Sequence, residues 1–154
     1  MLDDLDITIL KKLQENGRTK RNELAEAIGL SIPSLSERLK KLEDHGVIEG
    51  YYTKVSRHAF GYDIMAFVSV IMDSSKNYEK FAEYVKKTHE ILECHSILGE
   101  GSHILKVVVK ETKDLEALLS KIQSWPGVTR TITSFVLSTT KETTSLHIQS
   151  KKEL

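Results

Sequence analysis

Two short amphipathic helices separated by a tight glycine turn, within residues 20–46, constrain the fold more than any other feature of this chain. The first predicted helix covers residues 20–28 and gathers its apolar side chains on one face: Leu24, Ala25 and Ile28. Gly29 can adopt the positive φ that a tight turn requires, and the small Ala25 lets two helices cross closely. Helices of this length joined by a turn of about three residues predict a helix-turn-helix unit.

The helix after the turn has clear start and stop signals. Ser31 is a typical N-cap, and Pro33 lies in the first turn, where a missing N–H costs little. Three leucines form its apolar stripe: Leu35, Leu39 and Leu42. Gly46 is expected to end it. In a helix-turn-helix the second helix lies in the major groove of DNA, with its N-terminal part near the bases.

The face of this helix opposite Leu35 is the candidate DNA-binding surface, since successive residues advance by about 100°. The predicted DNA-binding residues on or beside that face are Ser31, Pro33, Ser34, Ser36, Glu37, Arg38, Lys40 and Lys41. Arg38 and Lys40 suit phosphate contacts, and Glu37 could accept a hydrogen bond from a cytosine amino group. Helix periodicity alone favours a solvated face, on which Glu37 can pair with Lys41.

The flanks complete a DNA-binding domain over residues 1–55. Residues 3–16 are predicted to form a helix with acidic residues at its start, and Gly17 ends it. Residues 47–55 have the apolar pattern of a strand and fit a wing. We therefore predict a winged helix-turn-helix, followed by a linker over residues 56–63.

Composition restricts the class of protein. The 154 residues include 22 basic and 22 acidic residues, so the net charge is zero, which weighs mildly against a nucleic-acid partner. Between residues 17 and 41, however, six basic residues face three acidic ones, an excess of +3. Cys94 is the single cysteine, so no internal disulfide forms. The start of the chain lacks a signal-peptide pattern and no apolar run would span a bilayer, which predicts a cytoplasmic protein without a membrane partner.

Residues 64–154 follow a second plan. Strands are predicted over 64–72, 91–98, 103–110 and 128–137, and helices over 78–88 and 113–124, the latter capped by Thr112. This βαββαβ order is ferredoxin-like. Residues 143–148 could add an edge strand. The predicted fold class is α+β, an N-terminal winged helix-turn-helix domain joined to a C-terminal ferredoxin-like domain.

The turn at residues 99–102 is the candidate ligand site of the second domain. Its two glycines, Gly99 and Gly101, would let backbone N–H groups face a small anion such as a carboxylate. A plain hairpin turn is the simpler interpretation, because glycine is the usual turn residue.

Short motifs in both halves resemble the Lrp/AsnC, or feast/famine, regulators over about residues 2–148. In the first half these are Leu5-Asp6, Asn16-Gly17-Arg18, Glu23-Leu24-Ala25, Gly29-Leu30-Ser31, Glu37-Arg38-Leu39 and Gly46-Val47-Ile48. In the second half they are Glu93-Cys94-His95, Gly99, Leu105-Lys106 and Pro126-Gly127-Val128. The resemblance implies a transcription regulator that binds double-stranded DNA.

It also implies that the second domain binds a small effector, usually an amino acid, between subunits, and that chains pair into homodimers that often form octamers. The turn would then be part of the effector pocket. The effector-binding residues predicted in this way are Tyr78, Gly99, Glu100, Gly101, Ser102, Gln123, Thr133 and Ser134. Ser102 and His103 replace an aspartate and an aromatic residue that many members carry, so this chain resembles the asparagine-responsive branch more closely.

Two other functions fit the same two-domain plan. One is an architectural DNA-packing protein with little sequence preference, and the other is an enzyme similar to certain tetrapyrrole decarboxylases. No catalytic constellation or nucleotide-binding motif is evident in the sequence, and Cys94 and His95 point to opposite faces of a strand. We therefore predict no enzyme activity, cofactor or metal site.

Overall fold

A computed structural model describes residues 2–149, which form two compact units. The first unit comprises residues 2–54 together with residues 141–149, and the second comprises residues 55–140. The C-terminal segment 141–149 therefore belongs with the helix-turn-helix unit, whereas the sequence analysis assigned it to the second domain. Residues 150–154, also assigned there, lie outside the described residues. No helix in the described part of the chain is long and apolar enough to cross a membrane.

The first unit contains three helices, α1 (Asp4–Glu15), α2 (Arg21–Ile28) and α3 (Ile32–Asp44). Asp3 and Asp6 form a capping box at the start of α1, each carboxylate accepting a hydrogen bond from the other residue's backbone N–H at 2.8 and 3.1 Å. Gly29 is left-handed, with φ of 70°, and Ser31 caps α3 by accepting from the N–H of Ser34. The predicted helix-turn-helix is confirmed.

The apolar faces of these helices meet in one core. Ile9 and Leu35 are fully buried in it, and Leu24 is 1% exposed. Ile148, from the C-terminal segment, packs against the same cluster. The Gln14 side chain holds that segment with two hydrogen bonds, donating to the Leu146 carbonyl at 3.0 Å and accepting from its N–H at 2.7 Å. The segment forms no strand over 143–148, so the predicted edge strand is wrong.

The strand predicted over residues 47–55 is also wrong. Residues 45–63 contain a short 3-10 helix at His58–Phe60 and no strand. The backbone N–H groups of Val47 and Ile48 both donate to the Leu42 carbonyl and so close the end of α3. The Tyr52 side chain is 87% exposed, so the apolar pattern of this segment does not correspond to a buried strand face.

The second unit has the elements β1 (Ile64–Met72), α4 (Tyr78–Lys86), β2 (Ile91–Ser96), β3 (His103–Val109), α5 (Thr112–Gln123) and β4 (Val128–Phe135). The strands form one antiparallel sheet in the order β2-β3-β1-β4, the ferredoxin-like topology that the sequence predicted. The cap of α5 is Glu111, which forms a capping box with Asp114, rather than the predicted Thr112.

Strand alternation separates the two faces of this sheet. Val68, Val70 and Leu105 are fully buried in a core with Phe81 of α4 and Ile122 of α5. The residues between them along each strand point to the opposite face. On that face Phe67 of β1 is 38% exposed and Ile132 of β4 is 37% exposed. One face of the sheet is therefore covered by helices, and the other presents apolar side chains.

Candidate DNA-binding and effector-binding sites

The outward face of α3 carries most of the residues predicted to bind DNA. Ser31, Pro33, Ser34, Glu37, Lys40 and Lys41 are exposed, and Ser36 is half-buried. Glu37 and Lys41 form an ion pair at 2.7 Å, which lowers the pKa of Glu37. Lys40 has no hydrogen bond or ion pair to any residue in 2–149. Lys40 is therefore the α3 cation most available to a phosphate.

The two serines on α3 already have partners within the first unit. Ser31 donates to the Ser34 hydroxyl at 2.9 Å, and Ser36 accepts from the Arg21 guanidinium at 3.0 Å. The second bond leaves Arg21 beside α3, a position that the sequence analysis did not assign to the site. The signal for it was the +3 charge excess over residues 17–41, which includes Arg21.

Arg38 forms ion pairs with two aspartates at the start of α1. Its guanidinium bonds the carboxylates of Asp3 and Asp6, each at 2.7 Å, and its side chain is 29% exposed. The backbone N–H of Asp6, followed by the Arg38 guanidinium, lowers the pKa of Asp3. The two carboxylates compete with DNA phosphate for this cation, so the prediction that Arg38 contacts phosphate loses its main support. The pairing connects α3 to α1.

We expect Arg38→Met to destabilise the first unit by about 1–2 kcal/mol at pH 7, a value reduced for the solvent exposure of the pairs. The lowered pKa of Asp3 means that its contribution is present above the ordinary carboxyl pKa and is lost as the pH falls through the lowered value. Urea unfolding of both proteins at pH 7 and near pH 3 measures this. The difference between them should shrink at acid pH. Lys40→Met is the matched control and should shift stability by less than about 0.5 kcal/mol.

The turn after β2 has the backbone that its glycines suggested. Gly99 and Gly101 have φ of 126° and 108°. The N–H and hydroxyl of Ser102 both donate to the Val70 carbonyl, at 2.9 and 3.1 Å, and Ile97 donates to the Ser102 carbonyl. Within residues 2–149, no backbone carbonyl accepts from the N–H groups of residues 99–101. Three N–H groups of the turn are therefore available to an anion, whereas that of Ser102 is not.

The other predicted effector residues are distributed over the same unit. Tyr78 lies at the start of α4, and the Gln123 amide donates to the Thr131 hydroxyl at 2.8 Å. Thr133 lies opposite Val68 on the helix-covered side of the sheet. Ser134 lies opposite Phe67 on the open side. Neighbouring strand residues point to opposite faces, so Thr133 and Ser134 do not share one face of the sheet.

The sequence analysis missed the environment of His103. This side chain is 8% exposed, and its ring centroid lies 4.8 Å from those of Tyr78 and Phe81. Its Nδ1 is 3.0 Å from the Ser102 hydroxyl. The signal was present in the strand pattern, because His103 shares the alternation of the buried Leu105 and Val107.

Comparison with known proteins identifies the family. The family described as the Lrp/AsnC ligand binding domain matches residues 65–146, and that described as winged helix-turn-helix DNA-binding matches residues 2–49. The transcriptional regulator FL11 of Pyrococcus abyssi is 36% identical over 148 residues, covering 96% of this chain and 97% of the relative. The leucine-responsive regulatory protein of Escherichia coli is 32% identical over 153 residues, covering 97% and 93%.

Solved structures agree. A transcriptional regulator of Neisseria meningitidis in complex with L-Met superposes with a TM-score of 0.89 at 36% identity, over 96% of this chain and 97% of that one. Escherichia coli AsnC gives a TM-score of 0.86 at 31% identity, over 94% and 98%. These relatives are regulators rather than enzymes, as the sequence predicted. This chain, with its DNA-binding helix-turn-helix and its small-molecule-binding domain, belongs to the Lrp/AsnC family of transcriptional regulators.

Proposed function

We propose that this regulator binds specific DNA sequences and that an amino acid, bound at the turn over residues 99–102, alters its DNA binding or assembly. The observation that carries the proposal is the turn itself. Gly99 and Gly101 hold positive φ, and the N–H groups of residues 99–101 have no backbone acceptor within residues 2–149. Consecutive N–H groups in such a turn form a concave site for a carboxylate. The L-Met bound by the Neisseria relative is a ligand of this class.

The DNA-binding half of the proposal rests on α3. Its exposed face combines small hydroxyl side chains at the N-terminal end, Ser31 and Ser34, with Lys40 in the third turn. Hydroxyls near the N-terminus suit base edges, and an unpaired lysine suits phosphate. Glu37 has Lys41 as its partner, so a cytosine contact by Glu37 would have to replace that ion pair.

A thermal-shift screen against the standard amino acids tests the effector, because a ligand that binds the native state raises Tm. Selection of duplexes from a random library then tests sequence preference, with fluorescence anisotropy of selected and unrelated duplexes at several salt concentrations. A specific regulator should prefer the selected duplexes at every salt concentration and respond to the amino acid. An architectural protein would bind both sets alike, with one common salt slope.

We also propose that chains form homodimers through the open sheet face, with octamers as the assembly that the family resemblance favours. Phe67 and Ile132 are partly exposed there. Apolar side chains exposed together on a sheet face are typical of a protein–protein interaction surface. The same surface on two copies can meet around a two-fold axis.

Residues 55–140 alone are therefore expected to remain at least dimeric in sedimentation velocity. Phe67→Glu should dissociate this fragment, because it places a charge in the centre of the apolar face. Ser120→Glu, on the exposed side of α5, is the matched control and should leave the dimer intact. A folded monomer of the unmodified fragment would contradict the proposal.

A further inference from the structure

His103 has one ring nitrogen with a hydrogen-bonding partner and one without. Nδ1 is 3.0 Å from the Ser102 hydroxyl oxygen, whereas Nε2 has no hydrogen bond to any residue in 2–149. No fully buried side-chain nitrogen or oxygen in this part of the chain lacks a partner, so Nε2 must reach the molecular surface. The imidazole is thus more than nine-tenths buried, yet presents one nitrogen outward.

The Ser102 hydroxyl determines which nitrogen carries the proton. Its oxygen lies 3.1 Å from the Val70 carbonyl oxygen and 3.0 Å from His103 Nδ1. When the hydroxyl donates its single hydrogen to the Val70 carbonyl, the oxygen accepts from His103, and the proton of a neutral ring is then on Nδ1. In that tautomer Nε2 has a free lone pair and acts as an acceptor.

The position of this acceptor is fixed by its neighbours. His103 directly follows the turn, and its backbone is paired with Val70 of β1 and Ser96 of β2. The rings of Tyr78 and Phe81, both from α4, pack against the imidazole, and the centroid of each lies 4.8 Å from the imidazole centroid. The backbone N–H donors of residues 99–101 and the Nε2 acceptor of His103 therefore lie within four residues of each other along the chain.

We propose that His103 is a specificity-determining residue of the effector site, whose Nε2 accepts a hydrogen bond from the N–H of a ligand that also carries a carboxylate. This inference rests on the proposed function and extends it. Donors at residues 99–101 complement the carboxylate, and Nε2 complements an ammonium group. An α-amino acid carries both groups on one carbon, whereas a simple carboxylic acid carries only the first.

The same arrangement makes ligand binding dependent on pH. Burial lowers the pKa of His103 below its ordinary value, so the ring is neutral at pH 7, and with the proton on Nδ1 its Nε2 is an acceptor. Protonation converts Nε2 into a donor with a positive charge, which repels an ammonium group. Affinity should therefore fall as the pH drops through the lowered pKa. Tyr78 of α4 is the titratable side chain recorded against the ring, and Glu100 lies three residues earlier in the turn; Phe81 and the strand partners Val70 and Ser96 carry no titratable group.

Two substitutions of His103 separate the acceptor from packing. His103→Phe keeps a ring against Tyr78 and Phe81 but removes both nitrogens, and His103→Gln places an amide oxygen near the position of Nε2. Binding is measured by calorimetry on the full chain. The ligand is L-methionine, or whichever standard amino acid raises Tm more than L-methionine does. We expect His103→Phe to weaken binding about tenfold or more and His103→Gln to retain most of the affinity.

The pH profile and the tautomer provide the remaining readouts. Wild-type affinity should fall on acidification, and that of His103→Gln should stay flat. Nitrogen-15 NMR of the free protein should show the proton on Nδ1. Equal affinity of folded His103→Phe and wild type, or parallel pH profiles of His103→Gln and wild type, would overturn this inference and leave the proposed function intact. If no amino acid binds the wild type, both fail. If His103→Phe does not fold, the pH comparison decides.

Discussion

Gly101→Val is expected to abolish binding of the amino-acid effector at concentrations that saturate the wild type. A branched side chain at this position would occupy the space in front of the N–H groups of the turn. The backbone makes the effect larger, since φ is +108° and an added Cβ would lie 3.1 Å from the Val70 carbonyl oxygen. Ser102 donates two hydrogen bonds to that same oxygen, so any displacement of Val70 also disturbs the turn.

Loss of stability must be separated from loss of the site. A valine at positive φ is strained by about 1–2 kcal/mol wherever it stands. Gly61→Val is the matched control, because Gly61 lies in the same unit with φ of +76° and outside the turn. Calorimetry with the amino acid found in the thermal screen, on variants shown to be folded, should find binding lost in Gly101→Val and kept in Gly61→Val.

Ser102→Ala should cause a milder loss. It removes the hydroxyl hydrogen bonds to the Val70 carbonyl and to His103 Nδ1, each worth about 0.5–1.5 kcal/mol net, and keeps the backbone conformation of the turn. Undiminished binding by folded Gly101→Val would mean that the turn is only a hairpin and that the effector binds elsewhere.

Local signals in the sequence were sufficient for the helix-turn-helix and the sheet. Gly29 predicted a left-handed turn and has φ of 70°, and Ser31 predicted an N-cap and caps α3. Both features depend on residues only a few positions apart, so they can be recognised without knowing the fold. The βαββαβ order followed in the same way from two periodicities, 3.6 for the helices and 2 for the strands.

Contacts between residues distant in the sequence could not be predicted from such local signals. The pairing of Arg38 with Asp3 joins positions 35 residues apart, and that of Gln14 with Leu146 joins positions 132 apart. Helix periodicity placed Arg38 beside the DNA face but gave no information about α1. The opposite faces of Thr133 and Ser134, in contrast, follow from strand alternation alone.

Lys40→Glu is expected to weaken binding to every duplex, selected or unrelated, by on the order of 100-fold at low salt, because it replaces an attraction to phosphate with a repulsion. Lys40 is exposed on α3 and has no partner in residues 2–149, so no intramolecular contact is lost with it. The first unit should therefore remain folded, with an unchanged melting temperature. Since phosphate contacts carry no sequence information, preference between duplexes should survive.

Neutral substitutions identify the contact through the salt dependence. Lys40→Ala should lower the slope of log affinity against log salt by about 0.9 for each lysine that releases a counterion. Lys41→Ala is the matched control one residue along, because Glu37 pairs with Lys41 at 2.7 Å and already offsets its charge. Removing Lys41 should therefore change the slope less. A larger change for Lys41, or lost discrimination between duplexes in Lys40→Ala with an unchanged slope, would mean that α3 is oriented differently on DNA and that Lys40 contacts a base.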